Sequence, residues 1–218
     1  MSSIAFTNIA TLVTNDSSLG EGDLGILRKA SLVVEDGFIT EISQGSPSGV
    51  DREVDCTGKT LLPGFVDSHS HLIFAGDRAD EFAARSHGQK YTAGGIASTV
   101  KATRQASDAL LRENAQRLLN EALASGTTTI EIKSGYGLTE KDELRSLTIA
   151  SEFTDETTLL AAHVIPEEFH SNPDGYVDLI INSIIPKSKA KWIDAFCDLG
   201  AFNPEQSEAI LRAGIAKG

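Results

Sequence analysis

From Leu61 onward the chain repeats one pattern: a run of apolar and β-branched residues, a loop, then an amphipathic helical stretch. This order constrains the fold most, because strands that alternate with helices pair in parallel through helical crossovers. The runs are Leu61–Leu72, Thr127–Ile132, Thr158–His163 and Trp192–Cys197. A helix is predicted from Ser98 or Ser107 to Leu123, with Leu111, Ala115, Leu118 and Ala122 as its apolar stripe. Thr139 and Asp142 have capping-box spacing ahead of Leu144, Leu147, Ala150 and Phe153. Asn172-Pro173 and Asn203-Pro204 each pair a cap with a first-turn proline. The first opens a helix carrying Val177, Ile180, Ile181, Ile184 and Ile185, the second one through Ile210 and Leu211. An eight-unit barrel takes ~250 residues, far more than lie between Pro63 and Gly218. The expected class is α/β, with residues 61–218 as about four βα units, the first half of a (β/α)8 barrel.

Residues 1–60 read differently. Leu32-Val33-Val34 and Phe38-Ile39-Thr40 flank Asp36-Gly37, a hairpin signal. Gly20, Gly22 and Gly25 mark one loop, and the run from Gln44 to Gly49 another. The expectation is a small β-sandwich-like module, too short to close a core by itself and lacking partner strands.

Charge narrows the partners. Acidic residues outnumber basic ones 31 to 19, for a net charge of −12. Such a surface repels nucleic acid and anionic membrane, so neither is expected as a partner. No apolar run approaches the ~20 residues of a membrane span, and Met1-Ser2-Ser3-Ile4 lacks the basic region of a signal peptide. Cys56 and Cys197 are isolated, without metal-ligand spacing. Two buried thiols in a reducing cytoplasm are expected, with one disulfide left open.

His69 and His71 close the first apolar run. Side chains alternate along a strand, so both imidazoles face one way and could share a borderline ion such as Zn²⁺ or Fe²⁺. The run ahead of them puts the pair at the carboxyl end of its strand, where barrel enzymes keep their chemistry. An H-x-H alone is often two surface histidines. Here Pro63-Gly64 precedes the pair, Asp67 stands beside it, and Gly76-Asp77-Arg78 follows.

These residues together resemble the metal-binding signature of the amidohydrolase superfamily, which implies an amidohydrolase-type TIM barrel. The run from Asp67 to Arg78 resembles more closely the imidazolonepropionase family. So do Gly94–Val100, Glu131–Leu138, Ala161–Pro166 and Phe196-Cys197-Asp198, in the same order. The Lys133-Ser134-Gly135-Tyr136-Gly137-Leu138 run is the most discriminating. The resemblance implies metal-dependent hydrolysis of the cyclic amide of 4-imidazolone-5-propanoate to N-formimino-L-glutamate, a step of histidine degradation. It implies one divalent metal, zinc or iron, with His69 and His71 as ligands. It further implies that Arg78, Tyr136 and His163 bind the small-molecule substrate, Arg78 through its carboxylate.

Each residue also has a plainer reading. Arg78 could pair with Asp77, Asp80 or Glu81 at the surface, Tyr136 could be an ordinary loop residue, and His163 a satisfied core histidine. His87 and His170 are read as surface residues. Glu131 and Lys133 alternate with Ile130 and Ile132 and are read as neutralising each other, with ordering of the site as the alternative. In the family the third metal histidine, an aspartate ligand and the acid/base follow later strands. No catalytic residue is therefore expected within this chain; they are expected downstream of Gly218. The alternatives are another amidohydrolase, of deaminase or dihydroorotase type, and a non-catalytic fragment that acts as an assembly partner. Expected partners beyond substrate are a second copy or a missing C-terminal half.

Overall fold

The structure, a computed structural model, describes residues 2–77, 79, 86–87 and 94–218. It divides into two compact units, Met1–Gly64 and Phe65–Gly218.

The first unit holds β1 (Ser3–Val13), β2 (Ile26–Glu35), β3 (Phe38–Ser43), β4 (Arg52–Asp55) and β5 (Thr60–Leu61). They form one mixed sheet in the order β3-β2-β1-β4, with β5 also on β1. β1 runs antiparallel to β2 and parallel to β4 and β5. The hairpin between β2 and β3 turns at Asp36 and Gly37, both at positive φ, as a two-residue primed turn demands. Ile9, Leu12, Ala30, Leu32 and Cys56 are buried together in one cluster, and Ala5, Thr7, Ser31 and Val33 are buried as well. Phe38 and Ile39 stay largely exposed. Among the described residues the unit is thus a single sheet, without a second layer.

The second unit alternates strand and helix. β6 (Phe65–Ser70), β7 (Thr127–Lys133), β8 (Thr157–Ala162) and β9 (Trp192–Ala195) form a parallel sheet in chain order. The described helices are α1 (Gly94–Gln105), α2 (Asp108–Ala124), α3 (Glu140–Ala150), α4 (Pro173–Leu179), α5 (Ile185–Lys187) and α6 (Pro204–Lys217). A π turn, Ile180–Ile184, joins α4 to α5. Pro186 has no N–H to continue that helix, which stops soon after. The predicted caps form: the side chains of Thr139, Asn172 and Asn203 each accept from a backbone N–H of the first turn.

Two clusters glue these helices to one face of the sheet. Ile130 and Ile132 of β7 pack with Leu111 and Ala115 of α2 and Ile149 of α3. Leu159 and Ala161 of β8 pack with Tyr176, Ile180, Ile184 and Ile210. Tyr176 is fully buried, and its hydroxyl donates to Ala161 O at 3.0 Å.

Three expectations are corrected. The buried strand Leu61–Leu72 is divided: Leu61 ends β5, Leu62–Gly64 lies outside either strand, and β6 begins at Phe65. β6 is not buried, with Phe65 57% and Val66 68% exposed, because among the described residues it is the edge strand of its sheet. Of the two starts read for the helix that ends near Leu123, the structure has the second: Ser107 caps α2 by accepting from Leu110 N, after α1 ends at Gln105. Both cysteines are free, but only Cys56 is buried; Cys197 is exposed because β9 ends at Ala195, two residues before it.

Candidate metal and substrate site

Parallel pairing in chain order brings the carboxyl ends of β6, β7 and β8 to one edge of the sheet. His71 follows β6 directly, His163 follows β8 directly, and Tyr136 lies three residues past β7. A bulge aims the histidines. Asp67 pairs with Ile130 and Ser70 with Ile132, so β6 spends one extra residue over that span. Ser70 therefore shares the helix-covered side of Ile132, and its hydroxyl donates to Glu131 O at 2.6 Å. His69 and His71 flank Ser70 and take the opposite side, with Glu131 and Lys133. The Asp67 carboxylate accepts from His69 N at 3.1 Å, tightening this bend.

The rings gather closely. His71 and His163 are stacked with centroids 5.0 Å apart and planes 13° apart. Tyr136 stands 5.2 Å from His71 and 5.3 Å from His163, and His69 lies 5.7 Å from His71. Phe74 flanks Tyr136, and Phe196, just past β9, flanks His163. Four expected site residues are thus in one group. The fifth, Arg78, lies outside the described residues. His87 and His170 are exposed, and His170 Nε2 is 3.2 Å from Ile165 O.

Two of the imidazoles have defined roles for their nitrogens. His163 Nδ1 is 2.9 Å from Gly135 O; a carbonyl only accepts, so Nδ1 carries a proton. Gly135 makes this approach possible. It sits at φ +113°, and a Cβ there would be 3.0 Å from His163 Nδ1. His71 Nδ1 is buried without a hydrogen-bond partner. Burial, followed by the neighbouring charges of His163, His69 and Lys133, lowers the His71 pKa to about 3. The ring is neutral at ordinary pH, the state in which imidazole ligates a metal. An orphaned buried ring nitrogen beside a second imidazole fits a borderline divalent ion. Among the described residues, however, no group of three or more His, Cys, Asp or Glu side chains could hold a metal. Two imidazoles fall short of the three protein ligands that a catalytic zinc takes.

Behind the rings, Lys133 Nζ donates to Glu131 Oε1 at 2.7 Å and lies 3.1 Å from Asp194 Oδ2. The Thr158 hydroxyl also donates to Glu131. Burial opposes the Lys133 charge, but the hydrogen bonds to Glu131 and Asp194 outweigh it and raise its pKa. The mutual neutralisation read from sequence is the arrangement present. These side chains, with Val66, Asp67 and Ser68, line an open cleft of about 380 Å³.

The sequence does not single out Glu143. It is fully buried in the first turn of α3, and its carboxylate accepts from Gly135 N, Gly137 N and Leu138 N. Its only signal is a carboxylate shortly after a glycine-flanked tyrosine, and capping acids at that place are common.

The amidohydrolase family model matches residues 52–130. The chain is 53% identical to an imidazolonepropionase from Mycolicibacterium smegmatis and 54% identical to one from Salinispora tropica. In both cases all of the chain aligns, with 56% of the relative. The chain therefore spans about half the length of the curated relatives it matches. Among solved structures, a triazine hydrolase from Arthobacter aurescens superposes with TM-score 0.61 at 17% identity, over 100% of this chain and 51% of the other. Guanine deaminase from C. acetobutylicum gives TM-score 0.60 at 16% identity, over 99% and 51%. A similar match is atrazine chlorohydrolase from Arthrobacter aurescens complexed with zinc and atraton, TM-score 0.61 at 17% identity over 98% and 51%. At such identities these likenesses concern the fold alone, which is of amidohydrolase type. In sequence, the chain resembles imidazolonepropionase, of the amidohydrolase superfamily, over its whole length.

Proposed function

We propose that this chain is the N-terminal half of a metal-dependent imidazolonepropionase, which hydrolyses the cyclic amide of 4-imidazolone-5-propanoate to N-formimino-L-glutamate in histidine degradation. One observation carries the reading. His69, His71, Tyr136 and His163 meet at the ends of three adjacent parallel strands, where barrel enzymes hold their substrates. The identity to imidazolonepropionases along the whole chain supports it. In this reading residues 61–218 form four βα units of a (β/α)8 barrel, and residues 1–60 begin a sandwich-like module. A further segment completes both and carries the remaining metal ligands and the catalytic acid/base. The enzyme works in the cytoplasm, in keeping with its free thiols.

A divalent metal, zinc or iron, held by His69 and His71 would polarise the ring carbonyl and acidify a water at neutral pH. The chain's own residues orient the substrate. Arg78 grips the propionate through a bidentate guanidinium. The Tyr136 hydroxyl hydrogen-bonds the substrate beside His71. His163, oriented by the hydrogen bond from Nδ1 to Gly135 O, contacts the substrate beside Tyr136. Phe74 and Phe196 flank Tyr136 and His163 with apolar surface that thins the water around them.

The test is disappearance of 4-imidazolone-5-propanoate in a chain extended to the length of the relatives. Turnover with an intact Arg78, and a KM raised at least about tenfold by Arg78→Met, is the expected result, since one charge-assisted pair contributes about 1.5–3 kcal/mol. Turnover of a nucleobase or a dihydropyrimidine ring in place of this substrate would contradict the reading.

A further inference from the structure

We infer that Glu143 is a positioning residue: its carboxylate clamps the backbone of Gly135–Leu138 and thereby sets Tyr136 and His163 against His71. This rests on the proposed reading of Tyr136 and His163 as substrate contacts; the clamp itself rests on geometry alone.

The segment from Ser134 to Leu138 carries Tyr136 away from β7 with no strand or helix of its own. Its backbone N–H groups must find partners elsewhere. Glu143 supplies them. Oε1 accepts from Gly137 N and Leu138 N, each at 2.8 Å, and Oε2 accepts from Gly135 N at 3.1 Å. The Ser134 side chain also hydrogen-bonds to Glu143, while Ser134 Oγ accepts from Leu160 N of β8 at 3.0 Å. One fully buried carboxylate thus ties the loop after β7 to α3 and, through Ser134, to β8.

Two of the loop's carbonyls have holders of their own. Gly135 O receives His163 Nδ1 at 2.9 Å, and Gly137 O receives Arg104 Nε at 2.6 Å. Gly135 N and Gly137 N, both held on Glu143, belong to the peptides on either side of the Gly135–Tyr136 peptide, whose carbonyl meets His163 Nδ1, so that peptide is held from both ends. Tyr136 lies between two residues whose N–H groups share that carboxylate. The loop is also seated directly on α3, for a Cβ at Gly137 would lie 2.5 Å from the Asp142 carbonyl carbon. Burial raises the Glu143 pKa, and its hydrogen bonds to Ser134, Leu138, Gly137 and Gly135 act against that. A carboxylate that merely capped α3 would bond the N–H groups of its own helix; these three belong to the loop before it.

The experiment is amide hydrogen exchange and ¹⁵N ring spectroscopy of the histidines on the full 218-residue chain, wild type and Glu143→Gln, with Glu140→Gln as control on the same helix. In wild type the amides of Gly135, Gly137 and Leu138 are expected to exchange as slowly as those of β8. His163 is expected to show the Nδ1–H tautomer. Glu143→Gln keeps the shape but presents an NH₂ to the N–H groups, and should speed those three amides at least about tenfold, the worth of one lost buried hydrogen bond. It should also mix the His163 tautomers, which loss of overall stability alone does not do to the native ring. Fast exchange at the three amides in wild type overturns the clamp, even if the variant does not fold. A folded variant with unchanged exchange and tautomer overturns it too. Failure of an extended chain to open the imidazolone ring would instead sink the proposed function and leave the clamp standing.

Discussion

A buried imidazole with an unpaired ring nitrogen is costly unless a partner meets it, and His71 is such a residue. Its environment holds it neutral, and this has a measurable consequence in the metal-free chain. The unfolded ring takes up a proton near pH 6.5, while the folded ring does so only at about 3. The unfolded state therefore binds more protons between those values, and stability falls as pH drops below 6.5. The loss is up to about 1.4 kcal/mol per pH unit for one such group. Glu143 acts in the opposite sense: its raised pKa makes the folded state take a proton first as pH falls toward 4.5. The informative comparison is thus between wild type and His71→Gln, by urea midpoints with chelator present. The substitution is expected to flatten the acid slope; parallel slopes would show that His71 is not held neutral by the fold.

At the scale of elements, the caps are decisive and can be tested one at a time. Asn203 and Gln206 form a reciprocal capping box at the start of α6, with Pro204 in its first turn. Asn203→Ala is expected to cost about 1 kcal/mol, read as a lower thermal midpoint; no change would mean that packing of Ile210 alone fixes the helix. These caps were legible in the sequence because an Asn-Pro pair has few other uses. The order of strands and helices from β7 onward was legible for the same reason, since β-branched runs and 3.6-residue stripes do not mimic each other. The edge character of β6 was not. An apolar run such as Phe65-Val66 reads the same whether a second layer covers it or not. Ser98 and Ser107 both read as starts for the helix ending near Leu123, and the Ser107 cap on Leu110 N decides between them. In the site, His69 and His71 were marked by spacing, and Tyr136 and His163 by position after strands. The bulge that aims the first two has no local code. Glu143 was hidden because its partners are backbone amides, which every sequence has.

At the scale of the whole molecule, the described helices of the second unit cover one face of the parallel sheet. The other face carries exposed Val66 and Trp192 beside the Lys133–Glu131 pair. Parallel sheets are normally buried on both faces, and unpaired β6 and β9 edges invite further strands. The 218-residue chain alone is expected to self-associate in sedimentation experiments, and Val66→Asp with Trp192→Ser to reduce that association. A monomer at all concentrations would argue that the face tolerates water. The relatives matched by this chain are nearly twice its length, in keeping with a face that awaits a further layer.

The most direct test of a metal held by His69 and His71 is a calorimetric titration of metal-free chain with Zn²⁺, for wild type and His71→Gln. One ion bound per chain in wild type, with binding lost in the variant, is the expected result. Equal binding in both proteins, or none in either, would contradict a metal held by this pair.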